Sequence, residues 1–266
     1  MALSVSVIFR NAAFYAAAAV MSVAFVPIGS LPYLGLMSWN RMSTLYLRMI
    51  AWLLKRICRI EVQVAGMDNI PAGPVLFAPA QQCTWENLYF PSLFGNPVML
   101  IKNEIRTYPI VSRLARERGY IYANRGKSAD AIRETFVATK AAVETGRSVM
   151  IFPTGWRTGS DLSPPIHSGI AAMHRMLDVP CVPVAHNAGL CWPHKSWLRL
   201  PGTITVQVLP AIPPGLEKQV FLDRLHAELF GATDDLLAAP AAPVLMTARD
   251  ARTSALAHSI SAEAQH

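Results

Sequence analysis

The sequence predicts an α/β protein, with a sheet flanked by helices and an apolar helical segment in front of it. Short apolar runs alternate along the 266 residues with longer amphipathic segments, which is the order of strands and helices in α/β folds. The first part of the chain is nearly free of charge. Hydrophobic residues make up 52% of the chain and charged residues only 15%, a balance that favours association with a membrane.

Residues 1–58 predict a membrane-associated helical anchor. No charged residue occurs from Asn11 to Asn40, and residues 12–26 are almost wholly apolar. A spanning helix needs about 20 apolar residues, so this run predicts either one span with a broken end or two short helices in one leaflet. A secretory signal is the alternative, although no clear cleavage site is present. Basic residues that follow should face cytoplasmic headgroups: Arg41, Arg48, Lys55, Arg56 and Arg59.

Residues 59–230 predict the α/β domain. An amphipathic helix at 40–54, on the membrane or docked on the domain, leads into it. Strands are predicted where apolar residues alternate with polar ones or form short runs between turn residues. These segments are 60–64, 75–78, 98–101, 120–123, 149–152, 181–185 and 203–208. Helices are predicted to open at the motif Gln81–Glu86, and to run from Ser128 to before Gly146, at 169–177 and at 221–230. The Ala- and Pro-rich residues 231–266 predict a flexible tail in which short apolar runs can pack locally.

Polar residues follow several of the predicted strands. Gln81, Arg125 and Thr154 each come just after one. In open α/β sheets, functional groups collect where strands end and helices begin. The sequence therefore predicts that these side chains converge at one edge of the sheet.

Six blocks of residues, taken in order and spacing, resemble the bacterial 1-acylglycerol-3-phosphate acyltransferase family over residues 67–216. The blocks are Gln81-x4-Glu86, Tyr122-Ala123-Asn124-Arg125, Phe152-Pro153-Thr154-Gly155-Trp156-Arg157, Val182-Pro183-Val184-Ala185, Trp192-Pro193 and Pro201-Gly202-Thr203-Ile204-Thr205-Val206. The resemblance implies the glycerolipid acyltransferase fold. It also implies transfer of a fatty acyl group from acyl-coenzyme A or acyl carrier protein, as co-substrate, to a lysophospholipid hydroxyl. Neither a metal nor another cofactor is implied.

The catalytic motif of that family is incomplete in this chain. The family has a His, four intervening residues and then an acid, and the pair deprotonates the attacking hydroxyl in the manner of a serine hydrolase. Here Gln81 stands at the His position and Glu86 keeps the acid. A glutamine amide cannot hold a proton near neutral pH, and losing a general base costs about 10²–10⁴-fold in rate. We expect Gln81→His to raise any acyl transfer by at least about tenfold, unless the rest of the pocket is disabled.

A second block departs from the family in the same direction. The family reads Phe-Pro-Glu-Gly-Thr-Arg where this chain has Thr154 for Glu and Trp156 for Thr. That Glu helps to orient the acceptor, so an acceptor contact is expected to be lost and the bulky Trp156 to fill part of the pocket. Residues matching the family's substrate-binding positions remain, and guanidinium groups suit phosphate oxygens. They are Lys102, Arg125, Thr154, Gly155 and Arg157.

Three residues are candidates for replacing the missing base. His186 follows a predicted strand and is the best of them. His167 stands where the family often has Lys. Cys83 lies two residues after Gln81 and can in principle form an acyl thioester, but no basic partner is evident in sequence and an inert buried thiol is the simpler interpretation.

Two functions stay open. The first is a membrane-bound acyltransferase of phospholipid synthesis on the cytoplasmic face of the bacterial inner membrane, with anionic lipids as its surroundings. The second is a catalytically impaired relative that binds lipid or regulates an active acyltransferase. Nucleic-acid binding fits poorly despite the net charge of +7, because the basic residues are spread out and several flank the apolar segment.

Overall fold

The computed structural model describes residues 5–28, 31–32, 34–35, 37–123, 129–154 and 164–238. Helices and strands alternate after an N-terminal pair of helices, as the sequence predicts. The helices are α1 Val5–Ile28, α2 Trp39–Leu53, α3 Trp85–Leu93, α4 Pro109–Glu117, α5 Ala129–Glu144, α6 Gly169–Leu177, α7 Ala188–Cys191 and α8 Lys218–Ala238. The strands are β1 Ile60–Ala65, β2 Leu76–Pro79, β3 Val98–Lys102, β4 Ile121–Ala123, β5 Val149–Met150, β6 Cys181–His186 and β7 Gly202–Val208.

The seven described strands form one mixed sheet in the order β1-β7-β6-β2-β5-β3-β4. Strands β6, β2, β5, β3 and β4 are parallel to one another, whereas β7 is antiparallel to β6 and parallel to β1. The five parallel strands therefore end at the same edge of the sheet. The loops that leave this edge, which we call the carboxyl edge, carry the predicted site.

Both faces of the sheet are covered. Leu76 and Ala78 of β2 join an apolar cluster with α6 and α8, while Phe77 joins a second cluster with the N-terminal helices and α3. Because successive residues of a strand point to opposite faces, a central strand must be apolar throughout. This explains why the short apolar runs predicted the central strands correctly.

Helix α1 lies along the body rather than apart from it. Phe14, Met21 and Phe25 are buried in the cluster beneath it, and the Tyr15 hydroxyl donates to the Trp197 carbonyl at 2.7 Å. The opposite face leaves Val5, Phe9, Val20 and Val23 exposed. By length and composition, Val5–Phe25 is able to cross a membrane, a property that core helices and signal sequences share.

The structure corrects three predictions about elements. Helix α4 was not predicted. Strand β5 is shorter than predicted and ends at Met150. Helix α8 continues to Ala238, so the expectation of a loose tail beginning at residue 231 is wrong for 231–238. Thr233 is fully buried there, and its hydroxyl bonds the Leu229 carbonyl at 2.6 Å.

Candidate active site

The carboxyl edge brings together residues from four neighbouring strands. Pairing of Leu76 with both Val149 and Cys181 sets the levels of the central strands, and continuing that register brings Gln81 near the level of Thr154 and His186. Lys102 ends β3 and is exposed. Gln81 and Thr154 therefore share one edge, as the sequence predicted for this pair, and His186 and Lys102 lie at the same edge. Arg125, Trp156, Gly155 and Arg157 lie outside the described residues.

Glu86 is held entirely by the loop that precedes it. Its Oε1 accepts the backbone N–H groups of Gln82 at 2.9 Å and Cys83 at 2.8 Å, and its Oε2 accepts the Cys83 thiol at 3.1 Å. The side chain is 0% exposed and lies in the first turn of α3. Burial raises the pKa of Glu86 to about 7, although these hydrogen bonds oppose the rise.

Gln82 joins this loop to the loop after β6. Its Nε2 donates to the His186 carbonyl at 2.6 Å, and its Oε1 accepts the Gly189 N–H at 2.7 Å. The contact is so close that a Cβ at residue 189 would lie 3.1 Å from Oε1. Sequence reasoning missed Gln82, although an amide inside the motif, able both to donate and to accept, was the available signal.

Gln81 differs from its neighbours because its amide is not part of this network. The side chain is 8% exposed, and within the described part of the chain it makes no hydrogen bond. Glu86 therefore orients the backbone of the loop and not the side chain at position 81. The arrangement leaves a polar amide at the carboxyl edge with both its donor and acceptor groups available to a ligand.

His186 does not agree with the prediction of a substitute base. Its Nε2 lies 2.8 Å from the Ala80 carbonyl, which can only accept, so this nitrogen carries the proton. Its Nδ1 accepts the Ala188 N–H at 3.2 Å. The ring is neutral, 0% exposed and packed edge-on against Phe90. Both nitrogens are occupied, so His186 is a structural residue of the edge.

Cys83 is the inert thiol that the sequence suggested, with one addition. It is buried and donates to Glu86, a partner that the sequence did not reveal. Burial raises the pKa of the Cys83 thiol far above its ordinary value, and the adjacent carboxylate adds to the rise. A thiolate is strongly disfavoured here, which argues against an acyl thioester on this residue.

An apolar groove begins beside the motif. Trp85 stacks on Tyr89 at 4.6 Å, and these rings line a cavity of about 70 Å³ between α2, α3 and Trp192. Other residues of its wall are Leu47, Ile50, Ala51, Leu54 and Leu88. The groove connects the N-terminal helices with the start of α3.

The segment that carries the carboxyl edge resembles known proteins. A family model described as Acyltransferase matches residues 61–187, the part of the chain that carries the carboxyl edge. This segment of the chain belongs to the acyltransferase family. A crystal structure of the 1-acyl-sn-glycerophosphate (LPA) acyltransferase PlsC from Thermotoga maritima matches with a TM-score of 0.64, covering 87% of this chain and 97% of that one at 18% identity, and it shares the fold.

Two curated relatives of this chain come from Pseudomonas aeruginosa. A 1-acyl-sn-glycerol-3-phosphate acyltransferase is 28% identical over 165 residues, which are 62% of this chain and 64% of the relative. A lyso-ornithine lipid O-acyltransferase is 27% identical over 141 residues, 52% of this chain and 53% of the relative. The chain thus matches less than two thirds of either relative's length.

Proposed function

We propose that this acyltransferase moves a fatty acyl group from acyl-coenzyme A or acyl carrier protein to the hydroxyl of a lysophospholipid such as 1-acylglycerol-3-phosphate. The observation that carries the proposal is the convergence of Gln81, Thr154 and Lys102 at the ends of neighbouring parallel strands, inside the segment that matches the family. Lys102 supplies an exposed cation for an anionic headgroup. Arg125 and Arg157 are further cations proposed from sequence alone, and Gly155 is proposed with them as part of the acceptor site.

The N-terminal helices supply the membrane part of the proposal. Helix α1 bonds the α/β body near its start and bonds α2 near its end. While it is docked in this way, α1 cannot cross a bilayer unless the body enters the bilayer with it. We therefore favour two helices lying in one leaflet of the bacterial cytoplasmic membrane, with the α/β domain on the cytoplasmic side. Arg41, Arg48 and Arg56 of this segment would face anionic lipids.

A non-catalytic, lipid-binding relative is the second candidate, and one observation favours it. Glu86 bonds its own loop, so the motif keeps its shape without a histidine at position 81. Such a protein would hold a lysophospholipid without acylating it, or would regulate an active acyltransferase.

One assay separates the candidates. Thiol release from acyl-coenzyme A would be measured in detergent micelles with 1-acylglycerol-3-phosphate present, for wild type and Gln81→His. In parallel reactions, lyso-ornithine lipid replaces 1-acylglycerol-3-phosphate as the acceptor, and acyl carrier protein that bears the acyl group replaces acyl-coenzyme A as the donor. We expect acceptor-dependent turnover by the wild type and a gain of at least about tenfold in the variant. A silent wild type beside an active variant supports the lipid-binding candidate. Silence of both proteins with every donor and acceptor overturns acyl transfer.

A further inference from the structure

Acyl transfer without a histidine at position 81 needs another group to take the hydroxyl proton. We propose that His167 is this general base, an inference that rests on the proposed acyl transfer. The geometry at the end of β5 carries the argument, together with the state of the other histidines.

His167 is fixed beside the motif by its backbone. Its N–H donates to the Pro153 carbonyl at 2.9 Å, directly before Thr154, and its carbonyl accepts the Ile170 N–H at 3.2 Å in the first turn of α6. The residue is thus fixed on both sides. Its side chain is exposed, and no hydrogen bond within the described part of the chain engages the ring.

Along the strand direction, His167 lies near the level of residue 81, where the family has its catalytic histidine. The pairing of β2 with β5 brings Gln81 near Thr154, and Thr154 adjoins the residue that holds His167. Gln81 and Thr154 are buried, whereas the side chain of His167, whose backbone bonds the residue before Thr154, is exposed. A lysophospholipid hydroxyl entering over Thr154 would meet an imidazole, which is the commonest general base in enzymes.

The other described histidines are poorly placed. His186 has both ring nitrogens bonded in the interior. His174 is buried and stacks on Phe221 at 4.1 Å between α6 and α8, and His226 packs on Phe230 of α8. His194 belongs to the loop between α7 and β7, the loop on which α1 docks. His167 is therefore the described histidine with an exposed ring beside Thr154.

The reaction balances with this one base. A neutral ring nitrogen of His167 takes the hydroxyl proton as the lysophospholipid oxygen attacks the thioester carbonyl carbon. The tetrahedral adduct then collapses, the carbon–sulfur bond breaks, and the thiolate of coenzyme A takes the proton from the imidazolium. The products are the ester and the free thiol, and the imidazole returns to its neutral form.

The test removes His167 in two backgrounds. Thiol release is measured for His167→Ala and for the matched control His194→Ala, each with Gln81 present and each combined with Gln81→His. In the Gln81 background we expect His167→Ala to lose at least about 100-fold and His194→Ala to stay within about twofold. In the Gln81→His background His167→Ala should lose less than about threefold, because the imidazole at position 81 then supplies the base. Free imidazole should restore part of the His167→Ala rate.

Several results would overturn the inference. An unchanged rate in His167→Ala would do so, and so would an equal loss in both backgrounds without rescue by imidazole, which is the behaviour of a residue with only a structural role. A silent wild type beside an active Gln81→His variant removes the base role while leaving the fold of the site intact. If every protein is silent with all donors and acceptors, the proposed acyl transfer itself fails. Circular dichroism melting of each variant keeps loss of folding separate from loss of chemistry.

Discussion

Buried polar side chains occur in two regions of this protein, beneath the N-terminal helix pair and in the loops of the carboxyl edge. Under the helices, Asn11 and Ser43 each bond a partner on the body. At the edge, Gln82 and Glu86 bond backbone groups of the edge loops themselves. The two regions therefore differ in where a substitution is tolerated. The edge keeps its shape without any contribution from residue 81, whereas the placement of the helices depends on individual polar contacts with the body.

Breaking the helix contact at Asn11 should have the largest effect. Asn11 is 0% exposed; its Oδ1 accepts the Arg199 N–H at 2.6 Å and its Nδ2 donates to the Arg199 carbonyl at 3.0 Å. Asn11→Leu leaves both backbone groups buried without partners, at about 1–3 kcal/mol each. We expect the free energy of unfolding, from urea titration in detergent, to fall by about 4 kcal/mol.

Phe9→Ala is the matched control on the other face of the same helix. Phe9 is 71% exposed, so its removal should change the unfolding free energy by less than about 0.5 kcal/mol. If α1 lies in a leaflet, the same change should weaken binding to anionic vesicles by about 30-fold, because burial of a phenyl ring is worth about 2 kcal/mol. Equal losses of stability in both variants would contradict the docking of α1 through Asn11.

Glu86→Gln tests the self-contained edge through pH. Burial raises the pKa of Glu86 to about 7 from its ordinary value of 4.5, so the folded state binds this proton more tightly than the unfolded chain does. The stability that Glu86 contributes is present below about pH 4.5 and is lost as pH rises through about 7. Between pH 4.5 and 8 the wild type should therefore lose about 3 kcal/mol relative to the variant, which cannot ionise.

Urea titrations at the two pH values measure this difference directly. Glu61→Gln provides the comparison, because Glu61 lies on β1 at the far side of the sheet and forms a partly exposed ion pair with Lys55. A constant difference between wild type and Glu86→Gln at all pH values would show that Glu86 ionises as easily as an exposed acid. The carboxylate would then be better solvated than its complete burial indicates.

The sequence predicted one of these regions better than the other. Strand ends are readable from short apolar runs, so the shared edge of Gln81 and Thr154 was predicted correctly, whereas Arg125 of the same prediction lies outside the described residues. The ring direction of His186 was not readable, because its partners are the backbone atoms of Ala80 and Ala188. The role of Gln82 depends on groups more than 100 positions away in the chain, which no local pattern encodes.

Helix α4 was missed for a related reason. It has nine residues, and an isolated helix of that length is marginal in water, so its formation depends on packing. It packs on α2, and its end leads to Arg118, which contacts α2 directly. The contact with α2 is therefore what a sequence-based prediction lacked.

Ser43→Ala sharpens the comparison with a smaller expected effect than Asn11→Leu or Glu86→Gln. The Ser43 hydroxyl accepts a hydrogen bond from Nη2 of Arg118 at 2.7 Å, and Nη1 of the same guanidinium donates to the Tyr120 hydroxyl at 3.2 Å. Arg118 is 6% exposed, and within the described residues its Nε has no partner. Removing the Ser43 hydroxyl leaves a second buried guanidinium nitrogen unpaired, which should cost about 2 kcal/mol of unfolding free energy.

Ser22→Ala completes this test, because the Ser22 hydroxyl bonds the Tyr46 hydroxyl at 2.9 Å and so joins α1 to α2 rather than a helix to the body. A neutral, partly buried bond of this kind is worth about 1 kcal/mol. Attachment to the body and contact between the two helices can each stabilise the helix pair. If attachment to the body stabilises it more, Ser43→Ala must lower the free energy of unfolding more than Ser22→Ala does in the same urea titration. The reverse order would mean that the helices are held chiefly by each other, and α1 and α2 would then be able to move together as a unit against the carboxyl edge.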